Sequence, residues 1–423
     1  MSDPKPLEST FAGVAPTVRA IFERALLGAS LSVDDAVALG AVAGRDLLAL
    51  CAVADHLRHE QAGDVVSYVV NRNINFTNVC VKACRFCAFS RAVRSEEGYF
   101  LPTEEVVRRA LEARAHGATE VCIQAGLPPK MDGRLYIDLT RTIKEAAPDL
   151  HIHAWSPEEI KYGAGLSGLS FRDYLAALKD AGLGSLPGTS AEILDDDVRR
   201  RIAPGRISTA EWIEVIKAAH SLGLPTTATI LYGHLESDRQ RMEHLALLRS
   251  IQRDTGGFTE FVPLSFVHAE APLFLRGITE KTGPTGNEEI RLYAISRLML
   301  GADFRNIQVS WVKEGLRTAQ WLLQCGANDF GGTLINESIS TSAGAGHGQL
   351  VRPAELRHAI RDAGRTPAER TTDYRVRKAF SPSRDAVDEP EPLDAVEDAA
   401  ATFGSYEALT RDERVRFRKA TGT

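Results

Sequence analysis

From about residue 65 onward, eight short β-rich runs alternate with longer helix-like stretches, and this alternation limits the folds open to the chain more than any other feature. The runs are VVNRNINF (69–76), EVCIQAG (120–126), HIHAWS (151–156), LGSLPG (183–188), TTATILYG (226–233), TEFVPLSF (259–266), NIQVSWV (306–312) and ANDFGGT (327–333). Between them lie TEEVVRRALEARAHG, FRDYLAALKDAG, TAEWIEVIKAAHSLG and NEEIRLYAISRLMLG, several closed by a glycine where a helix C-terminus wants one. Strict βα alternation over eight strands predicts an α/β fold, a (β/α)8 barrel of the TIM type. A doubly wound open sheet is the alternative, and the lack of a nucleotide-type glycine-rich loop after the first run weakens it.

The runs alternate inside themselves as well. In a barrel one set of side chains faces the surrounding helices and must be apolar. That assigns Val121 and Ile123, Ile152 and Ala154, Ala228 and Ile230, and Ile307, Val309 and Trp311 to the outside. The inward set is then Glu120, Cys122, Gln124, His151, His153, Trp155, Thr227, Thr229, Glu260, Gln308 and Ser310. A barrel built only for stability fills its interior with branched aliphatics, so this set predicts a polar cavity. His153, Thr229, Glu260 and Gln308 are the candidates to touch a ligand there, while each taken singly reads equally as a paired core group.

Cys80, Cys84 and Cys87 form a C-x3-C-x2-C run in the loop after the first strand, at the barrel end where catalytic groups collect. Three thiolates so close can hold three irons of a cuboidal 4Fe-4S cluster, and nothing nearby supplies a fourth ligand. One iron would stay open to another molecule. A zinc knot wants a second cysteine or histidine pair, which is missing: Cys51, Cys122 and Cys325 are isolated. Six cysteines in 423 residues, half of them within eight positions, do not resemble a secreted disulfide framework either.

Residues 1–60 read as a helical preface, with Ser32 and Asp35 placed as a variant capping box. The barrel is expected over 61–375, and 376–423, rich in charge and proline, is expected to be a solvated extension that buries little, with a short helix near 405–419. A net charge of -6 without a dense basic stripe argues against a nucleic-acid partner. The N-terminal MSDPKPLESTFAG lacks a basic segment followed by an apolar one, and no run of eighteen apolar residues occurs, so no membrane association and a cytoplasmic location are expected.

The cysteine spacing, with Phe86 just before the last cysteine, resembles the radical S-adenosylmethionine (radical SAM) superfamily. The segments NRNINFTNVCVKACRFCAFSR, ATEVCIQAGLPP, HIHAWSPEEIKYGA, AGLGSLPGTSAEILDDDVR, PTTATILYGHLE, TGGFTEFVPLSFVHAEAPL, NIQVSWVKEG and GANDFGGTLINESIS together resemble the CofH subunits of FO synthase, over roughly residues 25–375. The resemblance implies a 4Fe-4S cluster on Cys80, Cys84 and Cys87, S-adenosyl-L-methionine on the open iron, and 4-hydroxybenzyl transfer from L-tyrosine to C5 of 5-amino-6-(D-ribitylamino)uracil. It implies 2-iminoacetate, methionine and 5'-deoxyadenosine as the other products, a low-potential ferredoxin or flavodoxin as electron donor, and the CofG subunit as the next enzyme.

For the cofactor the resemblance marks Phe86 against the adenine, Gln124 and Gly126 in the segment that holds the amino group, and Ser156 and Glu192 toward the ribose. Each has a plainer reading: a loop anchor for Phe86, a helix cap for Ser156 and a helix N-terminal carboxylate for Glu192. Relatives carry two glycines where this chain has Ala125 and Gly126, and Pro128 is also unusual. Two rivals stand beside this reading. One is a radical SAM enzyme of the futalosine menaquinone pathway, and the other is a non-catalytic iron-sulfur protein.

Overall fold

The first stave of the barrel is a broken strand, β1 (Val65–Val69) running into β2 (Asn71–Ile74), and the rest of the ring is built from it. The computed structural model describes residues 9–417. β2 pairs in parallel with β3 (Glu120–Ile123), and β3 with β4 (His151–Ala154). Single parallel bridges, His153 to Ser185 and Leu186 to Thr226, carry the ring through the fourth stave to β5 (Thr226–Tyr232). β5 pairs with β6 (Phe258–Ser265), and bridges Phe261 to Ile307 and Gln308 to Asp329 lead through the seventh stave to β7 (Asp329–Gly332). β7 returns to β1 at Ser67 and Val69, and Ile335 bridges Arg72. Eight parallel staves in chain order thus close a (β/α)8 barrel, as the alternation predicts.

Two of the eight runs shrink to bridges for local reasons. In LGSLPG, Pro187 has no N–H to give a ladder, and at Gly188 a Cβ would lie 1.9 Å from the Thr227 carbonyl oxygen, so the backbones touch directly. In NIQVSWV the strand ends at Ser310, where the short helix Trp311–Glu314 begins.

Both tryptophans consequently leave the faces that alternation gives them. Trp155 has φ +65°, which swings its ring out of the barrel to stack on Tyr136 at 4.3 Å, with Nε1 donating to Thr140 Oγ1 at 2.9 Å. Trp311 turns the other way, lining the cavity and donating from Nε1 to the Gly332 carbonyl at 2.8 Å. His151 also stays out of the cavity wall, sharing the Ser185 hydroxyl with His153 at 2.7 Å each.

The helical preface is present. Helices Pro16–Leu26, Val33–Gly40 and Gly44–Ala62 pack on the barrel, and the Ser32–Asp35 capping box forms in both directions at 3.1 Å. Leu47, Leu50, Val53, Ala54 and Leu57 of the third helix are buried.

A further strand, β8 (Thr366–Arg370), closes the bottom of the barrel. It pairs in parallel with β1 on the side that β3 takes higher up beside β2, and Thr372 just beyond it donates to Glu120 Oε2 at 2.7 Å. β9 (Val376–Ala379) pairs antiparallel on its outer edge.

The segment after β9 departs from the expectation of a solvated extension. Phe380, Leu393, Val396, Phe403 and Tyr406 are buried, and Asp388 is clasped by Arg357 at 2.7 Å and Arg361 at 2.7 Å. Phe403 lies under the Arg72 guanidinium at 5.2 Å and against His116 at 4.9 Å. Tyr406 meets Phe89 at 5.6 Å, and the Phe417 N–H donates to the Gly98 carbonyl at 2.7 Å. The charged composition hid a thin line of apolar anchors, which makes the segment a strap from the bottom of the barrel to the cysteine loop. Of the helix expected near 405–419, the structure has Tyr406–Arg411 and a 3-10 turn at Glu413–Val415, and 418–419 lie outside the described residues.

Phe403→Ala should therefore cost about 3 kcal/mol, the usual loss for a buried ring, measured as a lower midpoint in chemical denaturation. An unchanged midpoint would mean that the strap is not held.

Candidate active site

The cysteine run sits in a loop whose shape is set by hydrogen bonds from both its backbone and its side chains. The Cys80 N–H donates to the Arg91 carbonyl at 3.1 Å, that of Val81 to Leu127 at 2.8 Å, and that of Arg85 to Ile202 at 2.8 Å. Thr77 Oγ1 donates to the Tyr99 carbonyl at 2.6 Å, and Asn78 Oδ1 accepts from the Tyr99 N–H at 2.9 Å. These ties hold Cys80, Cys84 and Cys87 at the wall of one cavity of about 360 Å³, which opens at the C-terminal ends of the staves.

Among the described residues, no three His, Cys, Asp or Glu side chains converge as the ligands of a single metal ion do. The three thiols instead share a cavity wall with a buried cation. Burial pushes the free Cys84 thiol up to about 12, against the pull of Arg206. Burial also opposes the charge of Arg206, yet Cys84, Glu192 and Glu158 hold its guanidinium above its ordinary value. Arg206 stands 5.6 Å from the Phe86 ring, 2.9 Å from Glu192 Oε1 and 3.4 Å from Glu158 Oε2, and Lys82 Nζ is 3.2 Å from Glu158 Oε1. A donor set of three thiols with a cation alongside suits an anionic thiolate-bound cluster. Sequence reading missed Arg206, Lys82 and Glu158, which no motif marks.

The segment after β3 meets the loop across a tight contact. The Gly126 N–H donates to the Thr77 carbonyl at 2.8 Å, and a Cβ at Gly126 would lie 2.3 Å from the Val79 carbonyl oxygen. Gly126 is therefore required by packing under the cysteine loop. Ala125 lies outside the left-handed region, so its methyl is accommodated, and its N–H donates to Glu159 Oε1 at 3.1 Å. Gln124 lines the cavity, its Oε1 accepting from Thr189 Oγ1 at 3.1 Å and its carbonyl from Asn75 Nδ2 at 2.7 Å.

Ser156 lines the cavity and also caps the helix Pro157–Ser167, with Oγ donating to Glu159 Oε2 at 2.6 Å. Burial raises Glu159 to about 7 against these hydrogen bonds. Glu192 does not start a helix: Asp195 is the cap of Asp196–Ile202, while Glu192, at φ +45°, turns into the cavity and pairs with Arg206. The plain helix-terminus reading of Glu192 is thereby set aside.

His153, Thr229, Glu260 and Gln308 all line the same cavity. Burial lowers His153 to about 4 despite Glu120 nearby, so its imidazole is neutral. Thr229 Oγ1 donates to the Gly188 carbonyl at 2.9 Å. Burial raises Glu260 to about 8 against the opposing pull of Arg370, and its Oε2 is buried without a hydrogen-bond partner. At the bottom Arg370 forks onto Asp329, Nε to Oδ2 at 2.6 Å and Nη2 to Oδ1 at 2.9 Å. Burial works against the charge of Glu120, yet the donors Asn71 Nδ2 at 2.8 Å and Thr372 Oγ1 at 2.7 Å help to hold it below its ordinary value.

A C-x3-C-x2-C loop at the mouth of a polar (β/α)8 cavity defines the radical SAM class, and comparisons with known proteins agree. The model of the radical SAM superfamily matches residues 74–248, and that of the CofH/MqnC C-terminal region matches 255–383. Among solved structures, the hydrogenase maturase HydG superposes with a TM-score of 0.67 at 17% identity, over 87% of this chain and 79% of that one. Methylornithine synthase (PylB) does so with a TM-score of 0.60 at 20% identity, over 78% and 88%. These two likenesses concern the fold.

The chain belongs to the family of 5-amino-6-(D-ribitylamino)uracil–L-tyrosine 4-hydroxyphenyl transferases. The member from Methanothermobacter thermautotrophicus is 51% identical over 342 residues, 81% of this chain and 93% of that protein. The one from Methanocaldococcus jannaschii is 51% identical over 326 residues, 76% and 90%. The FO synthase of Mycobacterium leprae is 47% identical over 346 residues, which is 82% of this chain and only 40% of that protein.

Two outcomes test the site. Gly126→Ala forces the cysteine loop off its seat, so iron bound per chain after anaerobic reconstitution should fall severalfold while the far-ultraviolet circular dichroism stays unchanged. Glu260 binds its proton more tightly folded, at about 8, than at its ordinary 4.5. Its contribution to stability is full below about 4.5 and lost as pH rises through about 8. The stability difference between Glu260→Gln and the native protein should therefore move in favour of the variant across that window, as read from denaturation midpoints.

Proposed function

We propose that this chain joins the 4-hydroxybenzyl group of L-tyrosine to C5 of 5-amino-6-(D-ribitylamino)uracil, the first half of FO (deazaflavin) assembly. The observation that carries the reading is about 50% identity, over four fifths of the chain, to transferases named for these two substrates, together with three cysteines on the wall of a polar barrel cavity. A non-catalytic iron-sulfur protein would have no use for the cavity.

Cys80, Cys84 and Cys87 would hold the cluster, and Gln124, Gly126, Ser156, Glu192 and Phe86 would border the S-adenosyl-L-methionine beside it. When bound, cluster and cofactor would supply a 5'-deoxyadenosyl radical able to take a hydrogen from the tyrosine amine. What this chain contributes is enclosure and orientation. The cavity wall keeps bulk water from a radical that reacts with nearly anything, and the inward polar groups fix the two substrates in reacting order. Neutral His153, with Ser185 on Nδ1, can present or take a proton at Nε2 without carrying charge into the barrel.

The one C-x3-C-x2-C run of these residues serves the first half of the assembly, and ring closure would fall to a CofG active site. An electron must reach the cluster from outside. Arg85, whose Nη1 donates to the Arg201 carbonyl at 2.7 Å, joins the exposed Arg201 and Arg276 around the outer face of the cysteine loop. With Val81 at 46% and Leu275 at 62% exposure between them, this face fits an acidic low-potential carrier such as a ferredoxin or flavodoxin. Among the described residues no helix is long and apolar enough to cross a membrane.

Anaerobic incubation of iron-reconstituted protein with dithionite, S-adenosyl-L-methionine, tyrosine and the aminouracil should yield the hydroxybenzyl–uracil adduct and 5'-deoxyadenosine by mass spectrometry. Deoxyadenosine without adduct would redirect the reading to the menaquinone substrates, and neither product from a loaded enzyme would leave the non-catalytic protein.

A further inference from the structure

The cations of the cavity wall divide into three that are neutralised and one that is not. Arg370 is forked onto Asp329, Arg206 is paired with Glu192 and Glu158, and Lys82 is paired with Glu158. Lys313, which also lines the cavity, has no carboxylate within 4.0 Å and no hydrogen-bond acceptor among the described residues. Of the acids around it, Glu337 accepts from the Ile339 N–H at 2.9 Å and the Ser340 N–H at 3.0 Å, and Glu314 accepts through Oε2 from the Ser310 N–H at 3.0 Å while its Oε1 has no partner. Lys313 stands just past the seventh stave, at the mouth, across the ring from the β3 and β4 ends that carry Gln124 and Ser156.

Deeper in the barrel the free hydrogen-bonding groups are uncharged. Glu260 Oε2 and Asn73 Oδ1 are buried without partners, and the Gln308 side-chain amide, on the stave beside Glu260, faces the cavity unbonded. A protonated carboxyl and two amides offer donors and acceptors in the alternation that a uracil edge presents, C=O, N–H, C=O. They offer nothing to a carboxylate, because the one cation at that depth is already forked onto Asp329.

Resting on the transferase reading above, we propose that Lys313 anchors the carboxylate of tyrosine at the mouth while Glu260, Gln308 and Asn73 form the uracil subsite in the middle of the barrel. The two substrates then line up along the barrel axis, with tyrosine between the cofactor and the aminouracil. The order matches the chemistry. The tyrosine amine must meet the radical beside the cluster, and the benzyl fragment released must find C5 of the uracil on its far side.

The test varies both substrates over the reconstituted enzyme and adds calorimetric binding of 6-(D-ribitylamino)uracil, which lacks the 5-amino group, as a readout independent of turnover. Lys313→Gln should raise KM for tyrosine about tenfold or more, as loss of a charged hydrogen bond does, leave KM for the aminouracil and the affinity for S-adenosyl-L-methionine unchanged, and be partly rescued in Lys313→Arg. Glu260→Leu and Gln308→Leu should do the reverse, weakening the calorimetric binding about tenfold at unchanged tyrosine KM, with Glu260→Gln, a neutral mimic of the protonated acid, recovering part of the binding that Glu260→Leu loses. A crossed pattern, both sets acting on one substrate, or Lys313→Gln weakening S-adenosyl-L-methionine instead overturns the arrangement while the transferase reading stands. Failure of the native enzyme to form adduct overturns both.

Discussion

The ion pair between Arg370 and Asp329 at the bottom of the barrel is the contact on which the rest of the architecture leans. Two charges this deep are tolerable only when each satisfies the other. Here the fork is complete, Asp329 accepts a further hydrogen bond from Ser67 Oγ, and the Arg370 guanidinium lies 3.9 Å from the Tyr374 ring centroid. One pair thereby joins β7, β1 and β8, and it brings Thr372 onto Glu120 of β3. Loss of either partner would leave an uncompensated charge under the cavity and open its floor to water.

Above that floor the cavity is graded in character. The bottom holds the closed pair of Arg370 and Asp329 beside the hydrogen-bonded Glu120, the middle offers neutral donors and acceptors, and the mouth gathers thiols, Arg206, Lys82, Glu158, Glu192 and Lys313. The gradient follows from burial. Carboxyls without a cation, such as Glu260 and Glu159, are pushed toward the neutral form, whereas those beside one keep their charge. Radical chemistry benefits from the arrangement, since a dry, uncharged middle offers few alternative reaction partners.

Most of the ring was legible in the chain. Alternation within β3, β5 and β6 placed Glu120, Cys122, Gln124, Thr227, Thr229 and Glu260 on the cavity side, because a two-residue period has only two answers. It failed at Trp155 and Trp311, where a left-handed backbone angle and an early helix broke the period, at His151, which turns to Ser185, and at Val309, which alternation assigns outward and which lines the cavity beside that early helix. It could not foresee β8 or the strap: β8 is a ninth stretch outside the eightfold count, and the anchors Phe380, Phe403 and Tyr406 are too widely spaced to form a pattern. Of the site, the cysteines announced themselves by spacing. Arg206 and Lys313 carry no local signal, since their meaning comes only from what the fold sets beside them.

The pairing of β1 with β8 also bears on how the protein comes into being. Val65 lies opposite Thr366, so the first strand of the barrel waits for a partner made some three hundred residues later. Contacts this distant along the chain are slow to form. During synthesis the cysteine loop emerges early and stays exposed until Arg370, Phe403 and Tyr406 arrive to shut the floor and tie down the strap. Ring closure and the final setting of that loop thus wait until residue 406 has been made. The seat for an oxygen-sensitive cluster is begun more than three hundred residues before it is complete.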